Sequence, residues 1–299
     1  MKIITLTLSP AIDITYSLGG EICLGLNRAA SFSESAGGKG INVCRAIIRE
    51  SIKCGIDADV ISLYPRGGAS GELLYSMLSG EGIPSCAIPT DEPCRVNVSA
   101  IDVHGRDIEI NSKGAKISPE EICKIENALS VLSFGDVLAI CGSVPDGIDP
   151  SYYSELIQKM KSRGVTCILD CDGEPLRLAM CAPIPPDYIK PNDDELKKLC
   201  AALDVEDSAE DLATRYPGTA VIATYGEDGA SIVRSTDRGN IKIDVNAEKV
   251  KPVRIKGAGD TLLGAFMYHK FVLFEDDENS LRAAVTTASE YVGGEEKAL

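Results

Sequence analysis

Asp136-Val137-Leu138-Ala139-Ile140 and Val165-Thr166-Cys167-Ile168-Leu169 decide the fold. Both are strand-length, nearly all apolar and without clear alternation. A strand with one face in water alternates, whereas a strand covered on both faces does not. Further strand-like segments stand at 2–8, 58–63, 84–89, 187–190 and 219–224, and the two quoted runs fall in 136–140 and 166–170. Helical patterns separate most of them, at about 39–51, 71–81, 118–130, 150–163, 174–182, 192–203, 207–215, 258–273 and 278–292. The alternation predicts an α/β protein, a three-layer α/β/α sandwich around a mostly parallel central sheet. Ligands on such sheets bind at the carboxyl ends of the strands.

Two regions break this rhythm. Residues 12–36 are polar, Gly-punctuated and partly alternating, and residues 94–111 read as a hairpin with one apolar face turning at Gly105. They predict a small β-sheet lid inserted into a single domain spanning 1–299. A lid over the ligand edge excludes water, which matters where water competes with an acceptor hydroxyl.

Bulk properties narrow the function. The 299 residues are 44% hydrophobic and carry a formal charge of −15. That charge argues against nucleic acid and anionic membranes as partners, and requires any phosphate site to be locally basic or built from backbone N–H groups. No apolar run approaches the ~18 residues of a membrane span, and the N-terminus enters a strand without a visible signal peptide. The 11 cysteines are odd in number, include no C-x-x-C pair and are spread through apolar patterns. Reduced, buried thiols in the cytoplasm are expected rather than zinc or disulfides.

Six motifs carry phosphate-compatible chemistry around a seventh. Gly257-Ala258-Gly259-Asp260-Thr261 precedes an amphipathic run to Phe271 and reads as a turn feeding a helix N-terminus. Free N–H groups and the helix dipole attract an anion there, beside the carboxylate of Asp260; a capped turn is the simpler alternative. Gly37-Gly38-Lys39-Gly40 opens another helix, and Gly40 after the lysine excludes a Walker A loop. Asp13 follows the first strand and can accept sugar hydroxyls. Arg95 and Asn97 share one lid face, where an arginine can grip phosphate. Gly142 and Ser143 end strand 136–140. Lys190, Asn192 and Glu195 follow strand 187–190, with a capping box as the structural alternative. Thr224, Gly226 and Gly229 follow strand 219–224, with a hairpin turn as the structural alternative.

Taken together, Ser9 to Asp13, Gly37 to Asn42, Arg95 with Asn97, Glu109 to Asn111, Gly142 to Pro145, Lys190 to Glu195, Thr224 to Gly229 and Gly257 to Asp260 resemble the PfkB (ribokinase-like) sugar kinases over nearly the whole chain. They look most like the branch holding 1-phosphofructokinase and tagatose-6-phosphate kinase. The resemblance implies Asp260 as catalytic base, with Gly257, Ala258 and Gly259 forming the anion hole. It implies Asp13, Gly38, Lys39, Asn42, Arg95, Asn97 and Ser143 on the sugar phosphate. Lys190, Asn192, Thr224, Gly226 and Gly229 would serve ATP, and Glu195 a water-bridged Mg²⁺. It further implies ATP-dependent phosphorylation of a ketohexose phosphate, with fructose 1-phosphate first and tagatose 6-phosphate second, and a homodimer through the lid. A non-catalytic sugar-phosphate sensor is the reading from another class. Lys256, Ser99 and Ser9 depart from the branch pattern; an apolar residue usually stands at 256, lysine often at 99 and asparagine more often at 9.

Overall fold

The computed structural model describes residues 1–295. In chain order the strands are β1 (Ile3–Thr7), β2 (Ala11–Leu18), β3 (Ala29–Gly37), β4 (Val60–Gly67), β5 (Ser85–Thr90), β6 (Arg95–Ile101), β7 (Asp107–Asn111), β8 (Val137–Cys141), β9 (Thr166–Asp170), β10 (Tyr188–Ile189), β11 (Ala220–Thr224), β12 (Ala230–Thr236) and β13 (Gly239–Val245). The helices are α1 (Lys39–Cys54), α2 (Gly68–Gly80), α3 (Pro119–Leu129), α4 (Tyr152–Lys161), α5 (Gly173–Cys181), α6 (Asp193–Leu203), α7 (Ala209–Arg215), α8 (Ala258–Met267) and α9 (Asp277–Gly293).

Among the described residues the larger sheet has nine strands in the order β13-β12-β11-β10-β9-β8-β1-β4-β5. β4, β5 and β8 to β11 run parallel with β1; β12 runs antiparallel to β11, and β13 pairs antiparallel with β12 and so returns to the common direction. The missing alternation in β8 has a direct cause. Val137, Ala139 and Cys141 enter one core with α1, α2, α8 and α9, while Leu138 and Ile140 enter the opposite core with α3 to α7. Both faces are covered, as the three-layer expectation requires. The hairpin β12–β13 lies outside the strands read from the sequence. It extends the sheet by two mutually antiparallel strands joined through the Asp237-Arg238 turn.

Strand order reverses between β1 and β8: β1 leads to β4 and β5 on one side, and β8 leads to β9, β10 and β11 on the other. The carboxyl ends of β1 and β8 therefore border a crevice, the usual ligand position in such sheets.

The second sheet has four strands, in the order β3-β2-β6-β7. β2 follows β1 after only Leu8, Ser9 and Pro10, and β3 runs into α1 through Gly38. The register sets Asp13 opposite both Asn97 and Ser35. Opposed residues share a face, so Asp13, Ser35, Arg95, Asn97 and Asn111 lie on one side. Ile14, Tyr16, Phe32, Val98, Ile108 and Ile110 lie on the other. Asp13 thus belongs to the smaller sheet, inside the 12–36 stretch expected to form the lid. The β2 strand begins at Ala11 and carries it away from the main sheet.

The packing of α1 against α8 fixes the site. A Cβ built on Gly264 would stand 2.5 Å from Ala46 Cβ and 2.6 Å from the Val43 carbonyl oxygen. Only glycine lets the two backbones come this close. One turn earlier on each helix stand Asn42 and Asp260, which this contact brings side by side. Gly264→Ala should therefore destabilise the fold by about 1–3 kcal/mol through overpacking, despite the ~1 kcal/mol that alanine normally adds inside a helix. A urea midpoint equal to or above the parent's refutes this.

Candidate active site

The turn before α8 is built as its glycines suggest. Gly257 has φ of 92° and is the N-cap, without a side-chain cap. The Ala258 amide donates to the Ile255 carbonyl at 3.1 Å, and the Thr261 amide closes the first helical bond to Gly257 at 2.9 Å. Of the amides that the resemblance sets in the anion hole, that of Ala258 is engaged, while those of Gly259 and the following Asp260 stay open at the helix start. Lys190, reaching in from the end of β10, is 5% exposed, and its Nζ would lie 3.3 Å from a Cβ on Gly259. The helix start thus has both dipole and ammonium beside it.

Asp260 is the third residue of α8 and is buried. Its carboxylate does not cap the helix. It accepts a 2.8 Å hydrogen bond on Oδ2 from Asn42 Nδ2. Asn42 is itself oriented, because Arg45 Nη1 donates to its Oδ1 at 2.7 Å while Arg45 Nε binds Glu81 at 2.7 Å. Burial, and then the nearby Asp170 carboxylate, push Asp260 up to about 6; the Asn42 hydrogen bond and the Lys190 and Lys39 ammonium groups pull the other way.

Asp170 was not among the residues singled out from the sequence. It ends β9, is fully buried, and holds two cations: Lys39 Nζ at 3.1 Å and Lys190 Nζ at 3.4 Å. Its place at the carboxyl end of a parallel strand was the signal available. Burial pulls Lys39 down, but Asp170, Glu195 and Asp260 hold it above the ordinary lysine value. Lys39 leaves the helix start opened by Gly38 (φ 139°, a conformation L side chains rarely adopt) and lies with Lys190 rather than on the lid.

From the lid, Asn97 Nδ2 donates to Asp13 Oδ1 at 2.8 Å. Lys256 Nζ stands 3.6 Å from the same oxygen, so the residue before the glycine turn ties that turn to the lid. Among the described residues, Asn97 Oδ1 and Arg95 Nε are buried without a hydrogen-bond partner. Buried polar atoms are rarely left so, and a ligand with donors and anionic acceptors would satisfy both. Burial lowers Arg95 from the ordinary arginine value, opposed by Asp13. Ser143 follows Gly142, whose amide donates to Asp170 O at 2.8 Å; the Ser143 carbonyl accepts from Tyr153 at 3.2 Å.

The remaining residues line the end of β10 and β11. Asn192 and Glu195 form a complete capping box at α6, with both bonds at 2.9 Å. One Glu195 oxygen is thus engaged locally. Thr224 bridges to Asn192. Gly226 begins a single 3₁₀ turn, and Gly229 lies against the backbone of Val245 to Ala247, where a Cβ would collide. That contact accounts for Gly229 without a ligand.

Three carboxylates therefore face four cations at one crevice of an acidic protein: Asp13, Asp170 and Asp260 against Lys39, Lys190, Lys256 and Arg95. The glycine-opened helix start and its lysines fit a phosphate-bearing group, and the buried carboxylate beside them fits a proton acceptor. Residues 7–297 match the pfkB family carbohydrate kinases. The chain belongs to this family. Like other PfkB kinases it is a phosphotransferase with an alcohol acceptor, and the family's donor is ATP with Mg²⁺. It is 30% identical over 274 residues to the ATP-dependent 6-phosphofructokinase isozyme 2 of Escherichia coli strain K12, covering 89% of this chain and 84% of the relative. It is 30% identical over 289 residues to the tagatose-6-phosphate kinase of Staphylococcus epidermidis, covering 94% and 89%. The E. coli phosphofructokinase-2 structure with fructose-6-phosphate superposes with a TM-score of 0.85 at 27% identity, covering 97% of this chain and 93% of that one. The tetrameric inhibited form of that enzyme gives 0.85 at 28%, covering 97% and 94%. The ribokinase-like fold is thereby shown. Among the described residues, no helix is long and apolar enough to cross a membrane.

The raised Asp260 has a cost with a definite sign. An unfolded aspartate titrates near 3.9. Between that pH and about 6, the folded chain keeps a proton that the unfolded chain has released. Stability therefore falls as pH rises through this window, and the whole cost stands above it. Asp260→Asn removes the cost. Above pH 7 the variant should melt at a higher Tm than the parent, with a stability gain on the order of 3 kcal/mol, and the gain should vanish near pH 4. Equal melting curves at both pH values refute the assignment.

Proposed function

We propose that this chain, as one kinase domain, phosphorylates a free hydroxyl of a ketohexose monophosphate and so makes a bisphosphate. The observation that carries the reading is the pair of unsatisfied buried groups on the lid, Arg95 Nε and Asn97 Oδ1, beside Asp13. They supply an arginine for the acceptor's phosphate and polar partners for its hydroxyls.

Asp260 is the base. A sugar hydroxyl is far less acidic than a carboxylic acid, so Asp260 takes the proton late, as the attacking oxygen gains positive character in a loose phosphoryl-transfer transition state. Asn42 keeps Oδ2 occupied and leaves Oδ1 for the acceptor. The Gly259 and Asp260 amides, with Lys190 and Lys39, stabilise charge on the transferring oxygens. Gly257 and Ala258 shape that turn. Gly38 admits the acceptor to the start of α1, and Ser143 borders it. Asn192, Thr224 and Gly226 border the nucleotide. ATP bound there supplies the phosphoryl group, with Mg²⁺ offsetting phosphate charge and Glu195 on its water shell through the oxygen outside the capping box.

The branch resemblance puts fructose 1-phosphate first as acceptor. A second reading, a hexose 6-phosphate such as tagatose 6-phosphate or fructose 6-phosphate, is favoured by the names of the two curated relatives. ADP release measured with each of the three sugars and Mg²⁺ decides between them, and no turnover with any would sink the kinase reading in favour of a sensor. With the best acceptor, Asp260→Asn should lower kcat by roughly 10²–10⁴. Arg95→Met should raise KM for the sugar phosphate at least tenfold and leave KM for ATP within about twofold, as a lost charged hydrogen bond of roughly 1.5–3 kcal/mol demands.

The lid's outer face supports a homodimer. Phe32 and Ile110 are each 63% exposed and Ile108 46%, continuous with Tyr16. An apolar patch of this kind marks an interface. Ile110→Glu should convert a dimer to monomer in sedimentation velocity; a monomeric parent counts against the proposal. The 11 thiols, none in a disulfide, suit a cytoplasmic enzyme.

A further inference from the structure

The helices that begin at the kinase centre end together elsewhere. α1 starts at Lys39 and ends at Cys54, ~24 Å away at 1.5 Å per residue. α8 starts at the glycine turn and passes into a π turn, Tyr268–Val272. Such turns often mark functional positions. At that end a cavity of about 380 Å³ is lined by Glu50, Cys54, His269, Glu275, Arg282 and Thr287 among others.

Glu50 is buried. Thr287 Oγ1 donates to its Oε1 at 2.9 Å, and Lys53 stands 3.8 Å from that same oxygen. Its Oε2 faces His269 Nε2 at 3.0 Å. On the other side of the ring, Nδ1 faces Glu275 Oε2 at 3.1 Å. A neutral imidazole carries a single N–H and cannot serve both carboxylates. With both carboxylates ionised, one ring nitrogen carries the N–H and the other needs a cation, either a second proton or a metal. Cys54 favours the metal. A thiol has no part in an imidazolium clamp, yet one ligand atom each from Glu50, Cys54 and His269 lies within 4.8 Å of the others.

The geometry suits a four-coordinate ion. Ligands ~2.0–2.1 Å from zinc at tetrahedral angles lie ~3.3 Å apart, close to the observed Nε2–Oε2 separation. Glu275 on Nδ1 and Thr287 on Oε1 are the outer contacts that orient a metal-bound histidine and carboxylate. The cavity leaves a fourth position for water. A mixed nitrogen, oxygen and sulfur donor set selects zinc-like ions over Mg²⁺.

We propose that Glu50, Cys54 and His269 form a zinc-class metal site, separate from the kinase centre, that fastens the end of α1 to the turn after α8. On binding, the thiol proton and any proton on Nε2 pass to solvent, and no redox change occurs.

The test titrates Co²⁺ into the metal-free full chain in excess Mg²⁺. One equivalent should produce a near-ultraviolet thiolate-to-cobalt band that Zn²⁺ abolishes. Cys54→Ser should lose the band; Cys54 is exposed, so this variant keeps the fold. Glu275→Gln should weaken binding 10–100-fold, while Asp260→Asn and Glu195→Gln leave it unchanged. Zn²⁺ should raise the Tm of the parent and not of Cys54→Ser. No band in the parent, or an equal band and affinity in Cys54→Ser, overturns the proposal.

Discussion

Asp170 is a fully buried carboxylate with two ammonium groups on it, and the centre of the molecule depends on that balance. Its Oδ1 takes Lys39 from α1 and its Oδ2 takes Lys190 from β10, so one side chain on β9 joins a helix start and a neighbouring strand. Removing either lysine leaves a buried charge half-compensated, a change that typically costs 3–5 kcal/mol. The same carboxylate helps push Asp260 up, while the two lysines restrain it. Asp170 thus sets the electrostatics of a site whose other members were visible as motifs.

Why those motifs converge is a matter of strand order. The reversal between β1 and β8 opens the crevice, and the segments after β1, β8, β10 and β11 arrive at it because those strands are parallel. The glycine contact at Gly264 then brings α1 and α8 together, so that Asn42 can hold Asp260. Arg45 and Glu81 extend that hold outward from the site.

The layers of the fold were legible because burial on both faces of a strand leaves an unmistakable apolar run, and the helices between them keep their own period. The β12–β13 hairpin lay outside the strands expected: β12 lacks clean alternation, and β13, although Ile241, Ile243 and Val245 alternate with Asn240, Lys242 and Asp244, lies at the sheet's edge beyond a turn with a ligand reading of its own. Asp170 escaped because a single carboxylate without glycines around it makes no motif, and its meaning lies in lysines 131 and 20 positions away. Asp13 stands just past the first strand and inside the stretch expected for the lid, and sequence does not say where the chain leaves one sheet for the other. Asn192 and Glu195 carried two readings from the start, and the capping box that forms between them is local chemistry that spacing alone described correctly.

The lid presents a polar side and a largely apolar side from the same four strands, in an alternation that a register shift interrupts at Ser17 and Leu18. Each strand is therefore two independent alphabets written on one line. Odd-numbered positions of β2 and β6 meet the crevice, and even-numbered ones meet the core and the outer surface. Substitutions in one set leave the other untouched, so ligand choice and surface character are free to diversify separately. An insertion or deletion of one residue exchanges the two sets at a stroke. Lid strands of this kind should accept point changes readily and length changes hardly at all.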